Sequence, residues 1–204
     1  MNAVDNYEKI RKLLVFDSKD DFYQIQIIKR RKENPGLKNN AKVVKEYYVS
    51  SLEYYDEIRS DVLGITEATR SRAYINLNVR SFKNAAFATM DRILKHMRSE
   101  DYFSVRQAYT RSASSRTSRK NMRWIIDFDK DDIDTDTMFC LKKGSFTHEL
   151  MISGVEILDI VPTPNGLHYI VKPFDRLKFK EAYPNHQSSN IKKNSPTVLF
   201  STVL

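Results

Sequence analysis

Cysteine occurs once among the 204 residues, at Cys140, which excludes an intramolecular disulfide and any zinc site built from several thiolates. A thiol-poor chain is at home in a reducing compartment, so a cytoplasmic setting is expected, whether free, at the nucleoid or in a viral replication complex. No segment holds the roughly 20 consecutive apolar residues of a membrane helix. The opening MNAVDNYEKIRK also lacks the apolar stretch of a signal peptide, and no membrane partner is expected. The Gly-x-x-x-x-Gly-Lys-Ser/Thr loop that cradles nucleotide phosphates in helicases is missing. The histidines, His96, His148, His168 and His186, stand apart with no His-x-His among them, which removes the paired imidazoles that a rolling-circle initiator nuclease needs for its metal.

What is present is positive charge: a formal +8 with a pI near 9.4, which favours a polyanionic partner without naming it. The apolar share of 41% and aromatic share of 11% are enough for an ordinary core and argue against global disorder. A chain of 204 residues suits one domain.

Hydropathy patterning divides the chain. Phe22 to Ile28 alternates apolar and amide side chains, as a half-exposed strand does. It runs into the basic cluster Lys29, Arg30, Arg31, Lys32 and is punctuated by Asn34-Pro35-Gly36. Residues 40 to 64 carry apolar positions near helical spacing and predict a helix, with the pairs Tyr47-Tyr48 and Tyr54-Tyr55 read as core rather than as base-stacking groups. Ala73 to Val79 reads as a second strand. Ser81 then caps a helix with the stripe Phe82, Ala86, Met90, Ile93 and Met97. Residues 1–110 thus predict a small β-α-β-α module. Residues 111–121 hold Arg111, Arg116, Arg119 and Lys120 without an acid and predict a basic loop, a candidate contact for a phosphate backbone. In 122–204 the pattern predicts a strand to Asp129, a helix over Thr135 to Ile152, and a hairpin with arms Val155 to Val161 and Leu167 to Val171. An amphipathic piece over Asp175 to Tyr183 and a strand-like run from Thr197 complete it.

Two places carry chemistry. In Trp124-Ile-Ile-Asp127-Phe-Asp129, strand periodicity sends Trp124, Ile126 and Phe128 to one face and Ile125, Asp127 and Asp129 to the other. Two adjacent carboxylates repel, and a shared magnesium or manganese ion relieves that. The alternative is that they merely open an acidic turn, since Asp131, Asp132, Asp134 and Asp136 follow. A calcium loop is excluded: counted from Asp127, Asp132 falls where glycine is needed and Met138 where the bidentate glutamate belongs. After the Pro162-Thr-Pro-Asn-Gly166 turn, alternation puts His168 and Lys172 on one face, where an imidazole and an ammonium can hold phosphates.

The order of Ile126-Asp127-Phe128-Asp129 on a strand, then a helix, then Gly166-Leu167-His168 entering a strand resembles motifs one and two of the archaeo-eukaryotic primase superfamily. The resemblance covers residues 72 to 204. It implies an α+β fold with an RRM-like palm sheet packed with helices, preceded by a small α/β module, in a single primase-polymerase-like catalytic domain. It further implies that Asp127 and Asp129 ligate Mg2+ or Mn2+ and that His168 contacts the incoming nucleotide's phosphates, with Gly166, Lys172 and Arg72 beside it. The activity implied is nucleotidyl transfer from nucleoside triphosphates to a 3′-hydroxyl on a single-stranded DNA template, with a separate helicase to unwind it.

The chain departs from the family twice. Gly166 stands where many members carry serine, which removes a hydroxyl but lets backbone approach a phosphate. The carboxylate usually found on a later strand is missing from Lys192-Lys193-Asn194-Ser195-Pro196-Thr-Val-Leu-Phe200, where Asn194 is the nearest substitute and a weaker ligand for a hard dication. A catalytically degenerate nucleic-acid-binding module of the same fold is the alternative reading.

Overall fold

The computed structural model describes residues 3–115, 122–129, 154–182 and 190–202. Its organising strand is β2 (Asp21–Arg30), in which Tyr23, Ile25 and Ile27 are buried on one face while Phe22, Gln24 and Gln26 alternate with them. Strand β3 (Ala41–Val49) lies antiparallel to it, paired from Tyr23 opposite Val49 to Arg30 opposite Ala41 with a shift of register between Ile27 and Ile28. The helix expected over 40 to 64 is therefore wrong in its first half. Val43, Val44, Tyr47, Tyr48 and Val49 are β-branched or aromatic, and pairing with β2 outweighs the weak helical spacing. Helix begins only after Ser51, whose hydroxyl accepts the Tyr54 N–H, giving α2 (Leu52–Glu57) and then α3 (Arg59–Ala68). Residues 21–68 are thus a hairpin followed by two helices, where one strand followed by one helix was expected.

Strand β4 (Arg72–Ile75) flanks β2 on its other side, and β5 (Arg80–Ser81) pairs with the start of β2. The expected strand to Val79 stops at Ile75 because the Asn78 N–H turns back onto Asn76 Oδ1 at 2.9 Å. With β1 (Val4–Asp5) and β10 (Thr197–Ser201) the first sheet runs β1-β10-β4-β2-β3, antiparallel throughout. The last of these strands in sequence, β10, thus returns to lie between β1 and β4.

Helix α1 (Tyr7–Arg11) joins α2 and α3 on one face of this sheet, where Tyr7, Ile10, Tyr55, Ile58 and Val62 pack on Tyr23, Ile25, Tyr47 and Ile75. Tyr47 and Tyr55 are core, Tyr47 from a strand and not from the helix its spacing predicted, while Tyr48 and Tyr54 are half-buried. The opposite face meets α4 (Phe82–Arg98) and α6 (Ala108–Ser115), with α5 (Tyr102–Val105) between them in sequence. There Phe22, Ala85 and Ala113 form a small core with Phe82 and Tyr48. Ser81 caps α4 as expected, accepting the Asn84 N–H. Of the predicted apolar stripe only Phe82 packs into this core: Ala85 and Ala88 are buried and Ala86, Met90 and Met97 exposed, because α6 approaches α4 over small side chains. The basic loop is also corrected in part, since Arg111 lies on α6, while Arg116, Arg119 and Lys120 fall outside the described residues.

The second sheet holds β6 (Trp124–Asp129), β7 (Ile157–Pro162), β8 (Gly166–Val171) and β9 (Ile191–Lys192) in the order β7-β8-β6-β9. The expected hairpin is present as β7 and β8, and the amphipathic piece is helix α7 (Arg176–Ala182). The helix expected over 135–152 lies outside the described residues. Ile126, Phe128, Tyr169 and Val171 pack with Val155 and with Phe179 of α7. Ile125, Val161 and Ile170 turn the other way and join the core of the first sheet. The fold is α+β, two antiparallel sheets sharing a core. Among the described residues no helix is long and apolar enough to cross a membrane.

Candidate active site between the two sheets

Strand periodicity sets Asp127 on the same face of β6 as Ile125, toward the first sheet, and the antiparallel ladder puts His168 of β8 directly opposite it. His168 Nε2 lies 3.2 Å from Asp127 Oδ1. On its other side, His168 Nδ1 is 2.8 Å from the hydroxyl of Thr197, a buried residue of β10 in the first sheet. The imidazole therefore bridges the two sheets. In the neutral ring Nε2 donates to the carboxylate and Nδ1 accepts the threonine hydroxyl. The hydrogen bond from His168 holds the Asp127 carboxyl below the usual carboxylate range against the opposing effect of burial, with Lys192 of β9 adding a smaller push in the same direction. Asp127 is thus a committed anion at neutral pH.

These two residues face a cavity of about 280 Å³ lined also by Arg30, Arg72 and Tyr74 of the first sheet, by Val198, and by Thr163 and Asn165 of the β7–β8 turn. One wall carries a carboxylate and an imidazole; the other carries two guanidiniums. The volume lies just below the roughly 300–1,000 Å³ of ligand pockets. It suits a phosphate chain better than a whole nucleotide, whose base would rest outside it. Arg72 is nearly enclosed, its side chain 6% exposed, and its Nη2 meets Glu33 Oε1 at 2.6 Å.

Of the residues singled out in the sequence, Asp127, His168 and Arg72 come together in this cavity. Asp129 ends β6 opposite Gly166, two residues from Asp127 along the same strand. Gly166 opens β8, and it is the preceding turn residues, Thr163 and Asn165, that line the cavity. Lys172 is not among its lining residues. It lies just beyond β8 with its ammonium 2.7 Å from Glu156. Arg111, on α6, donates to Gln107 Oε1 at 2.8 Å and is likewise absent from the lining.

Asn194 is committed elsewhere. Its backbone carbonyl and its Oδ1 accept from Asn76 Nδ2 at 2.9 and 3.2 Å, and Asn78 Nδ2 donates to the neighbouring Lys193 carbonyl at 3.1 Å. It fastens the turn before β10 to the end of β4. Arg80 of β5 is buried, with its guanidinium donating to the Ser114 carbonyl at 3.1 Å. Desolvation pulls it down to about 10. The sequence missed Arg30, Tyr74 and Thr197. Arg30 lay in a visible basic cluster, but nothing local says which of four neighbouring cations turns inward, and Thr197 is reached only through the return of β10.

Of the oxygen donors that suit a hard divalent cation, the described site supplies Asp127, ionised, 28% exposed and open to the cavity. Among the described residues no group of three His, Cys, Asp or Glu side chains converges as a metal cluster. No family model matches the chain, and none of the curated proteins or solved structures compared matches it.

Proposed function

We propose that this chain is a nucleotidyltransferase of the primase-polymerase type, with an RRM-like palm in the second sheet, adding nucleotides from nucleoside triphosphates to a 3′-hydroxyl on a single-stranded DNA template. The observation that carries this reading is the pairing of Asp127 with His168 on one wall of a cavity whose other wall presents Arg30 and Arg72. Phosphoryl transfer needs little covalent help from the protein, only positioning and neutralisation of charge. The arrangement supplies both.

Asp127 and Asp129 would hold Mg2+ or Mn2+, which when bound supplies charge neutralisation at the transferring phosphorus and lowers the cost of ionising the attacking hydroxyl. The chain's own groups do the rest. Arg72 and Arg30 bind phosphate oxygens through charge-assisted hydrogen bonds. His168, held at both nitrogens, keeps its ring in one orientation and keeps Asp127 ionised. The basic residues at 111–121 and the overall charge of +8 favour the template backbone. Unwinding would come from a separate helicase.

The test is nucleotide incorporation on single-stranded DNA, with and without a primer, comparing magnesium, manganese and chelator for wild type and Asp129→Ala. Metal-dependent product lost in the variant is the expected result. A second reading, a non-catalytic nucleic-acid-binding module of the same fold, is favoured by one observation, the engagement of Asn194 with Asn76. Metal-insensitive DNA binding without product would decide for it.

A further inference from the structure

Glu33 is the acid within the basic tip of the β2–β3 hairpin, and it does not face solvent with its neighbours. Its side chain is 4% exposed, 2.6 Å from Arg72 Nη2 and 3.9 Å from Arg30 Nη1. The turn that carries it is built to bring it there. The N–H groups of Glu33 and Asn34 both donate to the Arg30 carbonyl, at 3.1 and 3.0 Å, so the chain coils back over the end of β2. The Asn34 side-chain amide then donates to the carbonyls of Arg30 and of Arg70, at 3.2 and 3.0 Å, fastening the tip to the residues that lead into β4. Arg70 turns the chain there with a left-handed φ of 49°. Arg30 Nη1 also lies 3.5 Å from the Tyr74 hydroxyl.

We propose that Glu33 is a positioning residue that sets Arg30 and Arg72 as a two-guanidinium clamp for the phosphates of a nucleotide. This deepens the function proposed above and rests on it for the identity of the ligand. A buried ion pair is a poor source of stability, because desolvating both charges offsets most of their attraction. Its value lies in geometry. Two guanidiniums converging on one cavity repel, and free side chains of this length would turn away to solvent; a carboxylate shared behind them keeps both at the wall. Glu33 does not itself line the cavity, whereas Arg30 and Arg72 do. A phosphate chain entering then meets donors already fixed, and less conformational entropy is lost on binding.

Charge alone predicts the opposite sign from positioning, and two variants separate the effects. Glu33→Ala and Glu33→Gln both remove one negative charge, but only alanine removes the side-chain oxygen that lies 2.6 Å from Arg72 Nη2. The probe is inorganic tripolyphosphate, titrated calorimetrically into the whole chain without metal, so that no turnover is needed. Glu33→Ala is expected to bind it roughly tenfold more weakly, as for loss of one partner of a buried charge pair. Glu33→Gln is expected to stay within about threefold of wild type. In nucleotide incorporation the same alanine variant is expected to raise KM with kcat nearly unchanged, the signature of lost ground-state and transition-state binding alike.

Asn34→Ala, which keeps every charge and loosens the turn, is the variant to use should Glu33→Ala fail to fold; it is expected to weaken tripolyphosphate binding in the same direction. Equal or tighter binding by Glu33→Ala and Glu33→Gln alike, or no wild-type binding of tripolyphosphate, would overturn the proposal. Binding that follows the expected pattern in a chain that makes no polynucleotide would keep the clamp and reject the polymerase reading. Incorporation with an unchanged KM in Glu33→Ala would do the reverse.

Discussion

Asp127 and His168 are partners in the ladder between β6 and β8, and their side chains meet at 3.2 Å on the face turned toward the first sheet. The contact joins the group expected to hold metal to the group expected to meet phosphate. Replacing Asp127 with asparagine keeps the shape and an oxygen acceptor but removes the charge. Under the proposed function it should lower nucleotide incorporation by roughly a hundredfold or more, the scale of losing a main electrostatic contributor. Because Asp127 touches solvent, the melting temperature should move by no more than a few degrees. Both are read on one preparation, by incorporation assay and circular dichroism, and full activity would remove Asp127 from the site.

Thr197 tests whether the histidine must be held from behind. Its hydroxyl is 2.8 Å from His168 Nδ1, and it is fully buried. Thr197→Val is close in volume but leaves Nδ1 without a partner, so the ring can rotate or change tautomer. Loss of such a supporting contact costs roughly 10- to 100-fold in comparable sites. A loss of that order in kcat is expected for valine, with most activity kept in Thr197→Ser. Equal activity of the valine and serine variants would show that β10 contributes packing alone.

How much of this was legible in the sequence follows from the range of the interactions. Period-two alternation identified β2, β6 and the β7–β8 hairpin, because those strands bury one face whatever their neighbours. The same logic put Asp127 and His168 on the faces of β6 and β8 that now form one surface, turned toward the first sheet. Residues 41–49 were misread since Lys42, Lys45 and Glu46 between the valines and tyrosines give spacing that fits either period, and only pairing with β2 decides. The inward turn of Glu33 and the return of β10 to the first sheet depend on partners about 40 and 120 residues away in sequence. No local pattern encodes them.

Lys172 supplies a prediction in the negative. Strand periodicity placed it on the His168 face, yet its ammonium pairs with Glu156 at 2.7 Å with both side chains more than half exposed. An exposed pair of this kind contributes roughly 0–1 kcal/mol. Lys172→Ala should therefore leave KM for nucleotide within about twofold of wild type, while Arg72→Ala, which removes a guanidinium from the cavity, should raise it by roughly tenfold or more. A rise in KM for Lys172→Ala as large as for Arg72→Ala would mean that the lysine leaves Glu156 to reach the ligand.

Asp20 gives a pH-dependent test of the frame on which the site stands. Its carboxylate accepts the Ser81 hydroxyl and the Lys83 N–H, the latter at 2.7 Å, fixing the start of α4 to the turn before β2. Those two bonds, the serine first, hold its carboxyl below the usual carboxylate range. A group whose folded pKa is depressed binds its proton later in the folded chain than in the unfolded one. Its stabilisation is complete at neutral pH, begins to fade near the unfolded value of about 3.9 and is gone below the folded value. The carboxylate lies part-buried at the surface, so solvent screening puts the loss in Asp20→Asn at about 0.5 kcal/mol at pH 7. Urea unfolding at pH 7, 5 and 3 should show the variant less stable at the first two and the gap closing at the third, because wild type loses the contribution there. A gap that stays constant to pH 3 would mean that the hydrogen bonds of the uncharged group, and not its charge, anchor α4.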